Sequence, residues 1–63
     1  MTPAQEKMIL AKLRNPLHVN FISHLLKCNA EEAQLEINNL IDKDLIVEYD
    51  PKTARGYYVI KNL

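Results

Sequence analysis

Apolar and polar positions divide the chain into three helical stretches followed by two strand-like ones. The stretch Phe21 to Ile46 organises the rest. In it a short apolar run (Phe21, Ile22, Leu25, Leu26) meets a polar break at Lys27-Cys28-Asn29. A longer run follows, with Ala30, Ala33, Ile37, Leu40 and Ile41 within a stripe about 100° wide at helical spacing, the width of one buried helix face. Leu35 falls nearly opposite that stripe, among Glu31, Asn38, Asn39 and Asp42.

Upstream, Ala4, Met8, Ile9 and Leu13 share a face at the same period, with Leu10 or Ala11 at its margin. Thr2 is placed as N-cap, Pro3 takes the first helical position, and Gln5 completes a capping box. Asn15-Pro16 stops this helix, because the residue before proline avoids the helical region. Helices are expected over 3–14, 21–27 and 30–43. Asn20 is expected to cap the second and Asn29, with Glu32 three residues on, the third.

Leu17-His18-Val19 alternates apolar and polar and suits a short strand. Strands are expected over 45–49 and 57–61. Between them, the Asp50-to-Gly56 segment carries turn chemistry and the chain's one glycine. Alternation puts Tyr58 and Ile60 on one face of the last strand, here assigned to the helices, and Tyr57 and Val59 on the other. The result is a single α+β domain over 1–63, with three helices and a C-terminal two-stranded hairpin.

Composition narrows the function. Sixty-three residues bury only about 60% of the surface of the unfolded chain. That leaves one small core and no supporting shell for a catalytic cleft, so an enzyme is not expected. No Gly-rich phosphate loop, paired catalytic carboxylates or HExxH spacing occurs. One cysteine excludes an internal disulfide framework and fits a reducing cytoplasm. No apolar run reaches the roughly 20 residues of a membrane span, and no signal peptide is visible. His24 and Cys28 are four apart, with His18 the one further ligand nearby. Three such groups fall short of the four of a structural zinc site. No metal or cofactor is therefore expected, and Cys28 is placed in or beside the core.

Formal charge sums to zero but is uneven. Residues 1–29 carry Lys7, Lys12, Arg14 and Lys27 against Glu6, a net +3. Residues 30–44 carry Glu31, Glu32, Glu36, Asp42 and Asp44 against Lys43, a net −4. Residues 45–63 carry Lys52, Arg55 and Lys61 against Glu48 and Asp50, a net +1. A nucleic-acid binder of this balance works through local patches.

The element order, with particular residues, resembles the winged helix–turn–helix superfamily, as in MarR- and ArsR-like regulators. Ile22, Leu26, Ala33, Ile37, Leu40 and Leu45-Ile46 stand where that family keeps its apolar skeleton. Leu40 to Ile46 looks like its L-x-x-x-G-L-I helix exit, with Asp44 in the glycine position, and 50–56 before Tyr57-Tyr58 resembles a wing. The resemblance implies a transcription regulator of double-stranded DNA, with the third helix in the major groove and the wing on backbone or minor groove. One small module with few basic residues binds weakly, so a dimer with third helices in successive grooves is expected, its interface on helix 1 or the exposed strand edges. Gln34, Leu35, Asn38 and Asn39 then become base-reading candidates, since amides bond adenine and apolar groups meet thymine methyls. Lys27, Lys52 and Arg55 become phosphate contacts. Glu31 and Glu32 depart from the pattern, and both also suit the positive end of a helix dipole without any DNA. The rival expectation is a protein-interaction module whose face comprises Glu31, Leu35, Asn39 and Asp42.

Overall fold

The computed structural model describes residues 1–61 and has the element order α1 (Pro3–Lys12), β1 (Leu17–His18), α2 (Val19–Leu26), α3 (Ala30–Asp42), β2 (Ile46–Asp50) and β3 (Ala54–Ile60). It is a small α+β domain, three helices on a three-stranded antiparallel sheet of order β1-β3-β2. β1 realises the short strand expected near 17–19: Leu17 pairs with Tyr58 and His18 with Tyr57.

Local chemistry sets the helix starts. At α1 the Thr2 hydroxyl accepts from Gln5 N–H at 3.2 Å, and Gln5 Oε1 accepts from Thr2 N–H at 3.1 Å, so both halves of the capping box form. At α3 the Asn29 side chain accepts from Glu32 N–H at 2.7 Å. α2 corrects the sequence reading. Its cap is His18 and not Asn20, and the helix runs 19–26 rather than 21–27. His18 Nδ1 accepts from Asn20 N–H at 3.0 Å, while Asn20 O instead accepts from the buried Ser23 hydroxyl at 2.7 Å. An imidazole nitrogen serves as well as a carboxamide oxygen here, and His18 is already extended by its pairing in β1.

Two helices end on left-handed residues that are not glycine. Lys27 (φ 57°) closes α2, and Cys28 N–H reaches back to Ser23 O at 3.0 Å. Asp44 (φ 64°) follows α3, and Leu45 N–H reaches Leu40 O at 3.1 Å. Each is the six-to-one bond of a Schellman ending, which usually places glycine at the turn. Asp44 thus holds the conformation that its glycine-like place in the sequence implied. α1 ends at Lys12, two residues before the expected limit.

Ile9, Leu13, Ile22, Ile37, Leu40, Ile46 and Tyr58 form the core, flanked by Met8, Leu10, Leu17, Leu25, Leu26 and Ile60. Ala33 is buried as expected, but Ala4, Ala30, Ile41 and Leu45 are exposed. The stripe that reaches the core is therefore narrower than the apolar pattern: Ala30 and Ile41 lie together at its edge.

The hairpin also differs from expectation. The strands are 46–50 and 54–60, so the loop is the three residues 51–53 rather than 50–56, and Arg55 and Gly56 belong to β3. The pairing is irregular between Glu48 and Asp50: Glu48 faces Tyr58 while Asp50 faces Ala54. The extra β3 residues bulge at Gly56 (φ 81°), whose N–H is taken by Glu48 Oε2 at 3.0 Å. A Cβ on Gly56 would sit 3.0 Å from His18 Nε2, so glycine here meets both a backbone and a packing demand.

Candidate functional site

α3 carries the chain's most varied exposed chemistry. Its capped N-terminus fixes its start, and burial of Ala33, Ile37 and Leu40 fixes its rotation. Leu35 is then driven outward and is 60% exposed, the barest of the large aliphatic side chains among the described residues. Glu31 and Asp42 share its outward stripe.

The four base-reading candidates do not form one face. At 100° per residue, Gln34 and Asn39 are about 140° apart around the helix. Asn39 lines a groove on the α1 side, with Pro3, Glu6, Glu36, Asp42 and Lys43, where Lys43 Nζ pairs with Glu6 Oε1 at 2.9 Å. Gln34 lies on the sheet side. Its Nε2 donates to Tyr58 Oη at 3.2 Å and to Asn38 Oδ1 at 3.1 Å. The structure therefore brings Gln34 and Asn38 together and turns Asn39 away from Gln34, while Leu35 stands between Asn38 and Asn39 around the helix and lines the groove beside Cys28 and Glu36.

The two Gln34 bonds have a chemical consequence. Both hydrogens of the Gln34 amide are occupied, which leaves its Oε1 as acceptor. Asn38 accepts through its oxygen, which leaves its Nδ2 as donor. The pair thus keeps one acceptor, on Gln34, and one donor, on Asn38, for an incoming group. Tyr58 positions it from inside: its ring belongs to the core and its hydroxyl reaches the helix surface.

Of the phosphate candidates, Lys27 is exposed on the α2–α3 turn and Lys52 on the hairpin tip, while Arg55 is exposed within β3 rather than in the loop. Asp50 shapes that tip. Its carboxylate accepts from the Thr53 hydroxyl and from the N–H groups of Lys52 (3.3 Å) and Thr53 (3.4 Å). The Thr53 hydroxyl bond, helped by the two backbone donors and opposed by slight desolvation, lowers the Asp50 pKa.

Cys28 is half-buried and lies beside the core rather than in it, next to Leu26 at the core's margin. It lines a groove of about 230 Å³ with Gln5, Leu26, Glu32, Leu35 and Glu36. Burial, then the carboxylates of Glu32 and Glu36, raise its pKa, so the thiol stays protonated and a poor nucleophile at neutral pH.

Sequence reasoning missed three residues that build this surface: His18, Glu48 and Tyr58 in its tethering role. One signal for the second was visible, since a lone glycine within a strand pattern marks a bulge that frees a backbone donor. Comparison of the chain with protein-family models, with curated proteins and with solved structures gives no match. No helix among the described residues is long and apolar enough to cross a membrane.

Proposed function

We propose that the chain is a winged helix–turn–helix domain that binds double-stranded DNA and regulates transcription, with β2–β3 as its wing. The sheet order β1-β3-β2 behind α2 and α3 supports the fold. The observation that carries the function is the tethered amide pair. Gln34 Oε1 and Asn38 Nδ2 offer an acceptor and a donor, matching the N6 donor and N7 acceptor of adenine in the major groove. Leu35, one turn before Asn38 on the helix, suits a thymine methyl. Lys27, Lys52 and Arg55 hold the backbone, and Asn39 is left out of the interface.

Fluorescence anisotropy with labelled mixed-sequence duplexes tests this. Affinity falls with salt at a logarithmic slope of about −0.9 per phosphate neutralised, so three contacts give roughly −3. Lys52→Ala with Arg55→Ala should bring the slope to about −1. Gln34→Ala should instead lower discrimination among sequences at an unchanged slope. No binding at low salt rejects the reading.

A second reading is favoured by Leu35 itself. A bare leucine between Glu31 and Asp42, with Asn39 on its flank, suits a protein partner that brings an apolar group ringed by cations. In that case Leu35→Glu abolishes partner binding and Lys52→Ala with Arg55→Ala leaves it unchanged.

A further inference from the structure

The sheet has a second apolar surface that no described element covers. Ile46, Tyr58 and Ile60 face the helices. Alternation sends Leu45, Val47, Tyr49, Tyr57 and Val59 to the other side. Val59 is only 7% exposed and lies outside the core cluster. Leu45, Val47, Tyr49 and Tyr57 are exposed. None of the five is charged.

Beside this stripe runs a strand edge that is unpaired among the described residues. β2 is the end strand of the sheet, with β3 on one side only. Lys61 N–H donates to Leu45 O at 3.0 Å, so Leu45 bonds toward β3. Antiparallel alternation makes Val47, opposite Val59, bond inward as well, and turns the N–H and C=O of Ile46 and Glu48 to the open edge. Ile60 N–H agrees, since it points away from β2 and donates to Leu13 O at 3.0 Å. Edge strands are commonly guarded by an inward charge or a lysine. The charges on the inward side, Glu48 and Asp50, are instead bonded within their own hairpin, to Gly56 and to Lys52 and Thr53.

We propose that this edge takes a second copy of the chain, with the two β2 strands antiparallel about a two-fold axis through Val47. That register pairs Ile46 with the partner's Glu48 by the free backbone groups. It sets Val47 against the partner's Val47 and Leu45 against the partner's Tyr49, so one apolar stripe continues across the four central strands of a six-stranded sheet. Centring on Glu48 instead would oppose two carboxylates, which is destabilising. The Leu35 face suits a second copy less well, because it carries Glu31 and Asp42 with no cation in its stripe and so would bring like charge together. The pairing is independent of what α3 binds.

Sedimentation velocity across a concentration series tests it. The unaltered chain should move from one-chain to two-chain mass, and Val47→Lys should stay at one-chain mass with its helical circular dichroism intact. A non-hydrogen-bonded antiparallel pair brings Cα atoms to about 4.5 Å, within disulfide reach. Cys28→Ser with Val47→Cys should therefore oxidise to a covalent dimer, whereas Cys28→Ser with Glu31→Cys should not. This arm remains decisive if Val47→Lys does not fold. In the unaltered chain, amide exchange at Ile46 and Glu48 should slow as the dimer fills. One-chain mass at every concentration, a dimer that survives Val47→Lys, absence of the Val47→Cys cross-link, or a dimer whose Ile46 and Glu48 amides stay unprotected overturns the proposal.

Discussion

Tyr58 Oη lies 3.2 Å from Gln34 Nε2, joining the central strand of the sheet to the exposed side of α3. One residue is thereby both core and surface: its ring packs with Ile22, Ile37 and Leu40, and its hydroxyl orients an amide at the solvent boundary. Tyr58→Phe keeps the ring and removes the hydroxyl. A net hydrogen bond contributes about 0.5–1.5 kcal/mol, so urea unfolding should show a loss of that size. If the domain binds DNA as proposed, sequence discrimination should also fall, with Gln34 no longer held, while the salt slope stays. Unchanged stability and unchanged discrimination would mean that the contact has no energetic weight.

His18 is the residue whose deletion should surprise a reader of the sequence. Its Nδ1 caps α2 through Asn20 N–H, and its ring meets Tyr57 edge-on, centroids 5.1 Å apart at 71°. Loss of a cap costs about 0.5–2 kcal/mol, and an aromatic contact adds about 0.5–1.5. His18→Ala should therefore destabilise by about 1–3 kcal/mol in thermal or urea melts. His18→Asn retains a cap acceptor and should recover the cap's share alone. Equal melting for the two variants would show that the cap contributes nothing.

The helices were legible because their signals are local. Thr2, Pro3, Gln5 and Asn29 act within three residues of themselves, and burial of Ile9, Ile22, Ile37 and Leu40 follows the 3.6-residue period. The His18 cap was not legible, since it depends on a strand that forms only when Tyr57 and Tyr58 arrive from the far end of the chain. The hairpin loop was misjudged for a related reason. Gly56 reads as turn chemistry, yet its left-handed backbone serves a bulge inside β3, held by Glu48 across the strand pair. At the candidate site, sequence spacing marked Gln34, Leu35, Asn38 and Asn39 as outward. It could not separate Asn39 from the others, because the partner that selects Gln34 is Tyr58, 24 residues away.

The hairpin tip should carry an acid-dependent share of stability. Asp50 has a folded-state pKa below its usual carboxylate value, chiefly through the Thr53 hydroxyl. A lowered folded pKa means that ionised Asp50 favours the folded chain. That contribution is present above the unfolded pKa of about 3.9 and is lost as pH falls through the lower folded value. The stability difference between the unaltered chain and Asp50→Asn, followed by urea melts, should thus change below about pH 4 and stay flat from there to neutrality. Thr53→Ala should shrink the pH-dependent part of that difference. A difference that is flat through the acid range would exclude the coupling.

Lys27 allows stability and recognition to be separated in one substitution. Its φ of 57° lies in the left-handed region, where a residue with a Cβ is disfavoured by about 1–2 kcal/mol and glycine is not. The side chain is exposed, and no salt bridge among the described residues uses it. Lys27→Gly should therefore stabilise the fold by about 1 kcal/mol, slightly offset by the greater entropy of the unfolded glycine chain. Asp44→Gly should gain less. Asp44 shares the geometry but pairs with Lys61, and an exposed pair contributes about 0–1 kcal/mol. If Lys27 contacts phosphate, the same Lys27→Gly variant must lose DNA affinity as it gains stability, with the salt slope reduced by about one contact's worth. Melts and anisotropy on one preparation would show the two opposite signs. A more stable variant with unchanged affinity removes Lys27 from the interface and leaves the hairpin cations as its anchors.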